Sequence, residues 1–167
     1  MKLRNLLLTG LLTLAVFTLK AEVKVISLST DYKTNPIGID NPIPQLAWIV
    51  QSDEDNTMQA SYEIRAALNP RDLKKGKNLL WDTDKVVSSQ SVHIKYQGQA
   101  LKSYQKVYWQ VRIVDNHGEK SKWSEVAFWE MGILSASDWK ASWISPNWEE
   151  DSKVSVPSPY LRKEFKE

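Results

Sequence analysis

The stretch that most limits what this chain can become is Val107 to Asp115. Val107, Trp109, Val111 and Ile113 alternate with Tyr108, Gln110, Arg112 and Val114. A period of two held over eight residues describes a strand with one buried face and no helix. Asp115-Asn116-His117-Gly118 then supplies turn chemistry. Beyond it the run from Trp123 to Gly132 puts Ala127, Trp129 and Met131 on one side. Together the two runs predict a long hairpin at the centre of a sheet, which needs a second apolar layer to cover Trp109 and Trp129.

The rest of the chain repeats the pattern in shorter pieces. Val23, Val25 and Leu28 mark a first strand. Asn35 to Pro44 is a loop, because Asn35-Pro36, Gly38 and Asn41-Pro42-Ile43-Pro44 forbid regular structure. Leu46, Trp48 and Val50 alternate in the next strand, and Asp53 to Asn56 is a polar turn. Ser61 to Leu68 predicts a third strand, with Tyr62, Ile64, Ala66 and Leu68 on one side and Asn69-Pro70 as its end. Arg71 to Asn78 reads as a loop or a single helical turn. Leu80-Trp81 opens a short strand, Asp82 to Lys85 turns, Val92, Ile94 and Tyr96 alternate again, and Gly98 breaks that run. Seven short strands at this spacing, with no helix-period segment between them, predict an all-β sandwich of the immunoglobulin or fibronectin type III kind. The absence of Cys favours the fibronectin-like version and excludes a disulfide framework or a lipid-anchored lipoprotein.

Residues 1–21 have the form of a secretory signal peptide. Lys2 and Arg4 make a basic start, and Leu6 to Leu19 is an apolar run of about 14 residues. A membrane span needs roughly 20, so no stable span is expected once the leader is cleaved. Cleavage after Ala21 takes Lys2, Arg4 and Lys20 and no acid, which turns the net charge of +2 into −1. The basic balance belongs to the leader and gives no reason to expect nucleic acid as a partner. The expected location is periplasmic or secreted.

No constellation in the sequence specifies a reaction. Asp82-Thr83-Asp84 is an acidic turn that lacks further metal ligands. Asp53 to Asn56 resembles the opening of a calcium loop, but an EF-hand requires Gly and Glu where Met58 and Ile64 stand. His93, in an expected strand, and His117, in a turn, each stand alone. A glycosidase needs two carboxylates facing each other across a sugar, and the acids here lie in turns, on expected solvent faces or, as Glu149-Glu150-Asp151, in a tail. The expected catalytic, cofactor and metal residues are therefore none. Of the eight Trp, Trp48, Trp109 and Trp129 read as core. Trp81, Trp123, Trp139, Trp143 and Trp148 lie in loops or the tail, where they would bind sugar or bury against a further domain.

Past Gly132 the character changes. Leu134 to Trp143 is rich in Ser and Trp, with Ser137-Asp138 as a helix cap, and Asn147 to Pro159 is polar. Tyr160 to Phe165 alternates like the opening of another strand. The expected organisation is a signal peptide at 1–21, a sandwich at 22–133, and a linker with the truncated start of a second β-sandwich at 134–167.

Several segments resemble the N-terminal region of bacterial α-L-rhamnosidases of glycoside hydrolase family 78. They are Asn35-Pro36-Ile37-Gly38-Ile39-Asp40, Pro44-Gln45-Leu46-Ala47-Trp48, Gln59-Ala60-Ser61-Tyr62-Glu63-Ile64, Leu80-Trp81-Asp82, Tyr108-Trp109-Gln110-Val111-Arg112, Lys122-Trp123-Ser124 and Asp138-Trp139-Lys140-Ala141-Ser142-Trp143-Ile144. Pro159 to Phe165 looks like the opening strand of that family's next domain. The resemblance implies a fibronectin-type-III-like module, then a β-sandwich, then an (α/α)6 barrel holding the catalytic acids, so no catalytic residue is carried onto this chain. It implies a non-catalytic structural module whose partners are the downstream domains of a parent glycosidase, with a rhamnose-containing glycan as their substrate. A free-standing carbohydrate-binding module is the rival reading, and two or three coplanar exposed Trp would favour it. One departure is structural: the tyrosine corner of such sandwiches calls for Tyr six residues after Leu101, where this chain has Val107 with Tyr108 beside it.

Overall fold

The computed structural model describes residues 22–145, 153, 158 and 160–164. The expected leader at 1–21 and Trp148 lie outside the described residues, as do residues 146–152, 154–157, 159 and 165–167 of the expected linker and second domain. Eight strands and one short helix are described: β1 Lys24–Thr30, β2 Gln45–Gln51, β3 Gln59–Ala67, α1 Pro70–Lys75, β4 Leu79–Asp82, β5 Val86–Val87, β6 Ile94–Lys95, β7 Lys106–Asp115 and β8 Ala127–Glu130. They form two antiparallel sheets, one in the order β1-β2-β6 and the other in the order β4-β3-β7-β8, with β5 also paired to β3. The expected all-β sandwich is what the chain builds.

β7 is the central strand of the larger sheet. It pairs with β3 from Ala67↔Tyr108 to Gln59↔Asp115, with one irregularity near Ala60, and with β8 from Lys106↔Glu130 to Trp109↔Ala127. Its alternation holds as read: Val107, Trp109, Val111 and Ile113 are buried and join the other sheet's Leu46 and Trp48 in one core cluster. Two aromatic chains run through that core edge to face. Trp48 meets Tyr62 at 5.2 Å, and Tyr96 touches both Trp81 at 5.3 Å and Trp129 at 5.6 Å. Such contacts add to simple area burial. The tyrosine-corner position is fully buried Val107, while Tyr108 points to the other face against the Phe128 ring.

The structure corrects the sequence reading at four places. Leu68 does not share the buried face of β3: it lies past the strand's end and is 47% exposed. The reason is that Asn69-Pro70, read as a strand stop, is also a helix start. The Asn69 side chain accepts the Asp72 N–H at 2.9 Å and Pro70 opens α1, a fit between residue and position that sequence rules recognise. Leu73 anchors α1 in the interior, and Gly76, at φ 63°, closes it. Of the two readings of Arg71 to Asn78, the helical one holds: α1 joins β3 to β4.

The second correction concerns Val92 to Tyr96. Ile94 and Tyr96 are buried, but Val92 is exposed and β6 has only two residues. His93 sits at φ 57°, outside any strand, so the alternation does not extend through it. The third is the return of the hairpin. From Glu119 to Val126 the chain is irregular, and β8 starts only at Ala127. Two serines stand in for the ladder: Ser121 Oγ accepts the Ile113 N–H at 2.9 Å and Ser124 Oγ accepts the Val111 N–H at 3.1 Å. Their own N–H groups donate to the Ile113 and Val111 carbonyls. Backbone groups of β7 are thus satisfied without a regular partner strand. The fourth is the expected Ser137-Asp138 cap. Ser135 holds that position, Asp138 lies inside a short 3-10 turn at Ala136–Asp138, and its carboxylate accepts from the Ser103 hydroxyl.

The outer edge of β8 is covered by the loop expected to lack regular structure. Pro36 and Ile39 make backbone hydrogen bonds with Glu130 and Gly132, and Ile39 bridges Met131 in parallel fashion. A covered edge cannot recruit a strand from another molecule. Tyr160 to Glu164 are exposed and belong to no strand.

Trp109 is fully buried at the middle of the core, so Trp109→Ala should cost about 3–5 kcal/mol. A domain of this size has about 5–15 kcal/mol to lose, so the urea midpoint should fall steeply. A midpoint equal to that of the wild type would mean the face assignment is wrong.

Candidate functional site

The sequence points to no catalytic, cofactor or metal residue, and the structure gives the weighed candidates other duties. Asp82 accepts from Arg65 Nε at 3.2 Å, while Thr83 Oγ1 accepts the Ile64 N–H and donates to the Asp84 carbonyl. Among the described residues no three His, Asp or Glu side chains gather in a way that could hold a metal ion. His93 does have a neighbour: its Nε2 lies 2.9 Å from the Tyr32 hydroxyl, with the two rings edge to face. His117 lies in the turn after β7, within reach of the Asn116 side chain.

The described Trp outside the expected core divide into three groups. Trp81 lies in β4 and packs partly on the core. Trp123 is covered by its own sheet, between the guanidinium groups of Arg112, 4.3 Å from its centroid, and Arg65, at 4.8 Å. Glu63 fixes this arrangement, with Oε2 accepting from Arg112 Nε at 3.0 Å and Oε1 facing Lys120 Nζ at 2.8 Å. Trp123 therefore packs on the outer face of β3 and β7. Trp139 and Trp143 remain exposed, at 50% and 92%, and their rings stack on each other at 6.1 Å and 29°.

The feature with the form of a site is a groove at one side edge of the sandwich. The chain leaves the larger sheet at β5 and joins the smaller one at β6, crossing the gap between them. A buried amide holds that crossover. Gln59 Nε2 donates to the Ser88 carbonyl at 3.0 Å and the Gln90 carbonyl at 2.8 Å, and Gln59 Oε1 accepts Trp48 Nε1–H at 2.9 Å. The Trp48 backbone N–H also donates to the Ser91 carbonyl. Between this crossover and the β4–β5 turn lies an open groove of about 620 Å³, lined by Tyr62, Trp81, Thr83, Gln90, His93 and Gln97 among others. Beyond Gln97, the Gly98 backbone passes so near the Leu80 carbonyl that a Cβ would lie 2.6 Å from it. Burial raises the Tyr62 hydroxyl above its usual pKa of 10, and pushes Tyr96 up to about 12. Both are neutral phenols that can donate at ordinary pH.

A family model described as "Rha78A-like, N-terminal immunoglobulin domain" matches residues 25–135. The chain belongs to that family. An α-L-rhamnosidase of Formosa agariphila is 40% identical over 151 residues, covering 86% of this chain and 16% of the relative. The crystal structure of Streptomyces avermitilis α-L-rhamnosidase complexed with L-rhamnose superposes with a TM-score of 0.70 at 37% identity, covering 74% of this chain and 12% of that one. The α-L-rhamnosidase from Dictyoglumus thermophilum gives 0.69 at 32% identity, covering 73% of this chain and 14% of that one. The chain thus spans about an eighth to a sixth of the length of the relatives it matches. The module is the N-terminal immunoglobulin-like domain of α-L-rhamnosidase homologues. Among the described residues no helix is long and apolar enough to cross a membrane.

Sequence reasoning missed Gln59, Tyr62, Ser121 and Ser124 as key polar groups. Gln59 opens a strand and looks like any exposed amide; its burial arises only from the crossover above it. Gln59→Leu keeps the volume but leaves Trp48 Nε1–H and two carbonyls without a partner. The expected loss is about 2–3 kcal/mol in stability, read from the urea midpoint, with faster amide exchange in the Ser88–His93 segment.

The outer cluster predicts a pH effect. Burial alone would raise the Glu63 carboxyl, but hydrogen bonds and charge from Arg112 and Lys120 outweigh it and hold the pKa below the usual 4.5. A carboxyl with a lowered folded-state pKa stabilises the fold above its unfolded value, and that stability is lost as pH falls through the folded one. Glu63→Gln should therefore be less stable than wild type near neutrality, with the gap closing below about pH 4. Thermal melts across pH 3–7 read this directly, and a gap independent of pH would rule the ion pair out as its cause.

Proposed function

We propose that this chain is the non-catalytic N-terminal module of a secreted or periplasmic α-L-rhamnosidase-like glycoside hydrolase. Its role is structural: it packs on and positions the downstream domains that cleave terminal α-L-rhamnose from glycans. The observation that carries this reading is the family match at residues 25–135, set against α-L-rhamnosidases many times longer than this chain. The apolar end of the module supports it. Tyr104, Trp139, Trp143 and Ile144 are exposed where the chain leaves the sandwich. Tyr104 is tied there through its N–H to the Gly132 carbonyl, and Ser103 through its hydroxyl to Leu134 and Asp138. Such side chains are normally covered when a neighbouring domain is present. Localisation outside the cytoplasm rests on the leader-like residues 1–21.

The rival, a free-standing carbohydrate-binding module that uses tail Trp, is less well supported. Trp139 and Trp143 lie one on the other, which occupies a face of each ring and leaves no coplanar platform.

Two measurements test the proposal. Purified residues 22–167 should release no product from an aryl α-L-rhamnoside above buffer. Deleting the matching module from the Formosa agariphila relative should lower its melting temperature and soluble yield, while KM in the surviving enzyme stays within about twofold. Unchanged stability after deletion would remove the positioning role.

A further inference from the structure

We propose that the groove at the crossover is a binding site for a neutral pyranose ring. Tyr62 is the first reason. This residue is 8% exposed and lies on the inner face of β3, yet its hydroxyl carries no hydrogen bond to any described residue. That hydroxyl is not among the polar atoms sealed from solvent, and Tyr62 lines the groove. A solvent-reaching hydroxyl with no protein partner, on a residue that lines a concave surface, is open to a ligand.

The other walls indicate what that ligand is. The Trp81 side chain, half-buried with its far side against Tyr96, offers the apolar surface on which the C–H face of a sugar rests. Gln97 brings an amide that both donates and accepts, as sugar hydroxyls do, and Gln90, whose Nε2 donates to the Val92 carbonyl at 2.8 Å, adds its amide oxygen. The charges present do not select an ion. Lys95 is a single cation, and Asp82 is already held by Arg65. The volume of about 620 Å³ falls within the roughly 300–1,000 Å³ usual for small-molecule sites.

Nitrogen-15 NMR of the full chain tests this. L-rhamnose, D-glucose and D-galactose are titrated separately to about 100 mM, a range that detects millimolar affinity, with inorganic phosphate as the anionic arm. At least one sugar should give saturable shifts at Trp81 Nε1–H and at the Gln90 and Gln97 side-chain amides, and phosphate should give none there. Tyr62→Phe removes only the hydroxyl and should weaken that sugar about fivefold while the Trp109 and Trp129 resonances stay in place. Gln97→Ala, on the exposed wall, should weaken it too without touching the core. Four results would overturn the site: no saturable shift with any of the three sugars, shifts centred on Trp139 and Trp143, a response to phosphate alone, or unchanged affinity in Tyr62→Phe. The groove's binding is independent of the scaffold role. Failure here leaves the deletion experiment on the relative untouched, and failure there leaves this titration untouched.

Discussion

The pairing of β3 with β7 is the interaction on which the rest of the molecule depends. It joins eight residue pairs and gives the larger sheet two useful faces. On the inner face Ile64, Ala66, Trp109, Val111 and Ile113 are fully buried in one core cluster with Leu46 and Trp48 of the smaller sheet. On the outer face Glu63 and Arg112 stand directly opposite each other, and Arg65 is one step along. That register is what lets two guanidinium groups flank Trp123 while one carboxylate holds a guanidinium and an ammonium. A slip of one residue would send Trp109 outward and Arg112 into the core, so the two faces fix the register together.

The smaller sheet is less self-sufficient. β6 contributes two residues, and only the β1–β2 pair is extensive. The closure of the sandwich on that side is polar: one buried amide, Gln59, holds an indole of the smaller sheet and two carbonyls of the crossover. A polar group buried this deeply is favourable only when fully satisfied, and Gln59 makes three hydrogen bonds through its side chain. The same irregularity that makes the crossover need an anchor also leaves the groove beside it. Fold and candidate site thus share a cause: two sheets of unequal size do not seal along one edge.

Membership of the rhamnosidase N-terminal family gives this architecture its context. The family match ends at residue 135, close to the contacts that Leu134 and Asp138 make with Ser103. Past that point Trp139, Trp143 and Ile144 are exposed.

Much of the fold was written in the sequence because one physical signal, the alternation of apolar side chains, is local. Val107 to Ile113, Leu46 with Trp48, and Tyr62 to Ala66 all fell on the face their period indicated, and Trp48, Trp109 and Trp129 proved buried as read. The short motifs Asn35 to Asp40 and Asp138 to Ile144 carried the family resemblance in the same local way. Where the reading failed, a second signal overlapped the first. Asn69-Pro70 ends a strand and caps a helix with the same two residues, and His93 interrupts an alternation that looks unbroken in one dimension. The site was not legible at all. Nothing in the string of letters distinguishes Gln59 from Gln99, or the hydroxyl of Tyr62 from that of Tyr160. Burial, partners and the open edge arise only when residues some 30 positions apart, such as Gln59 and Gln90, are brought together by the pairing of sheets. Tertiary structure decided those, because the cost of an unpaired polar group depends on what surrounds it and not on its neighbours in sequence.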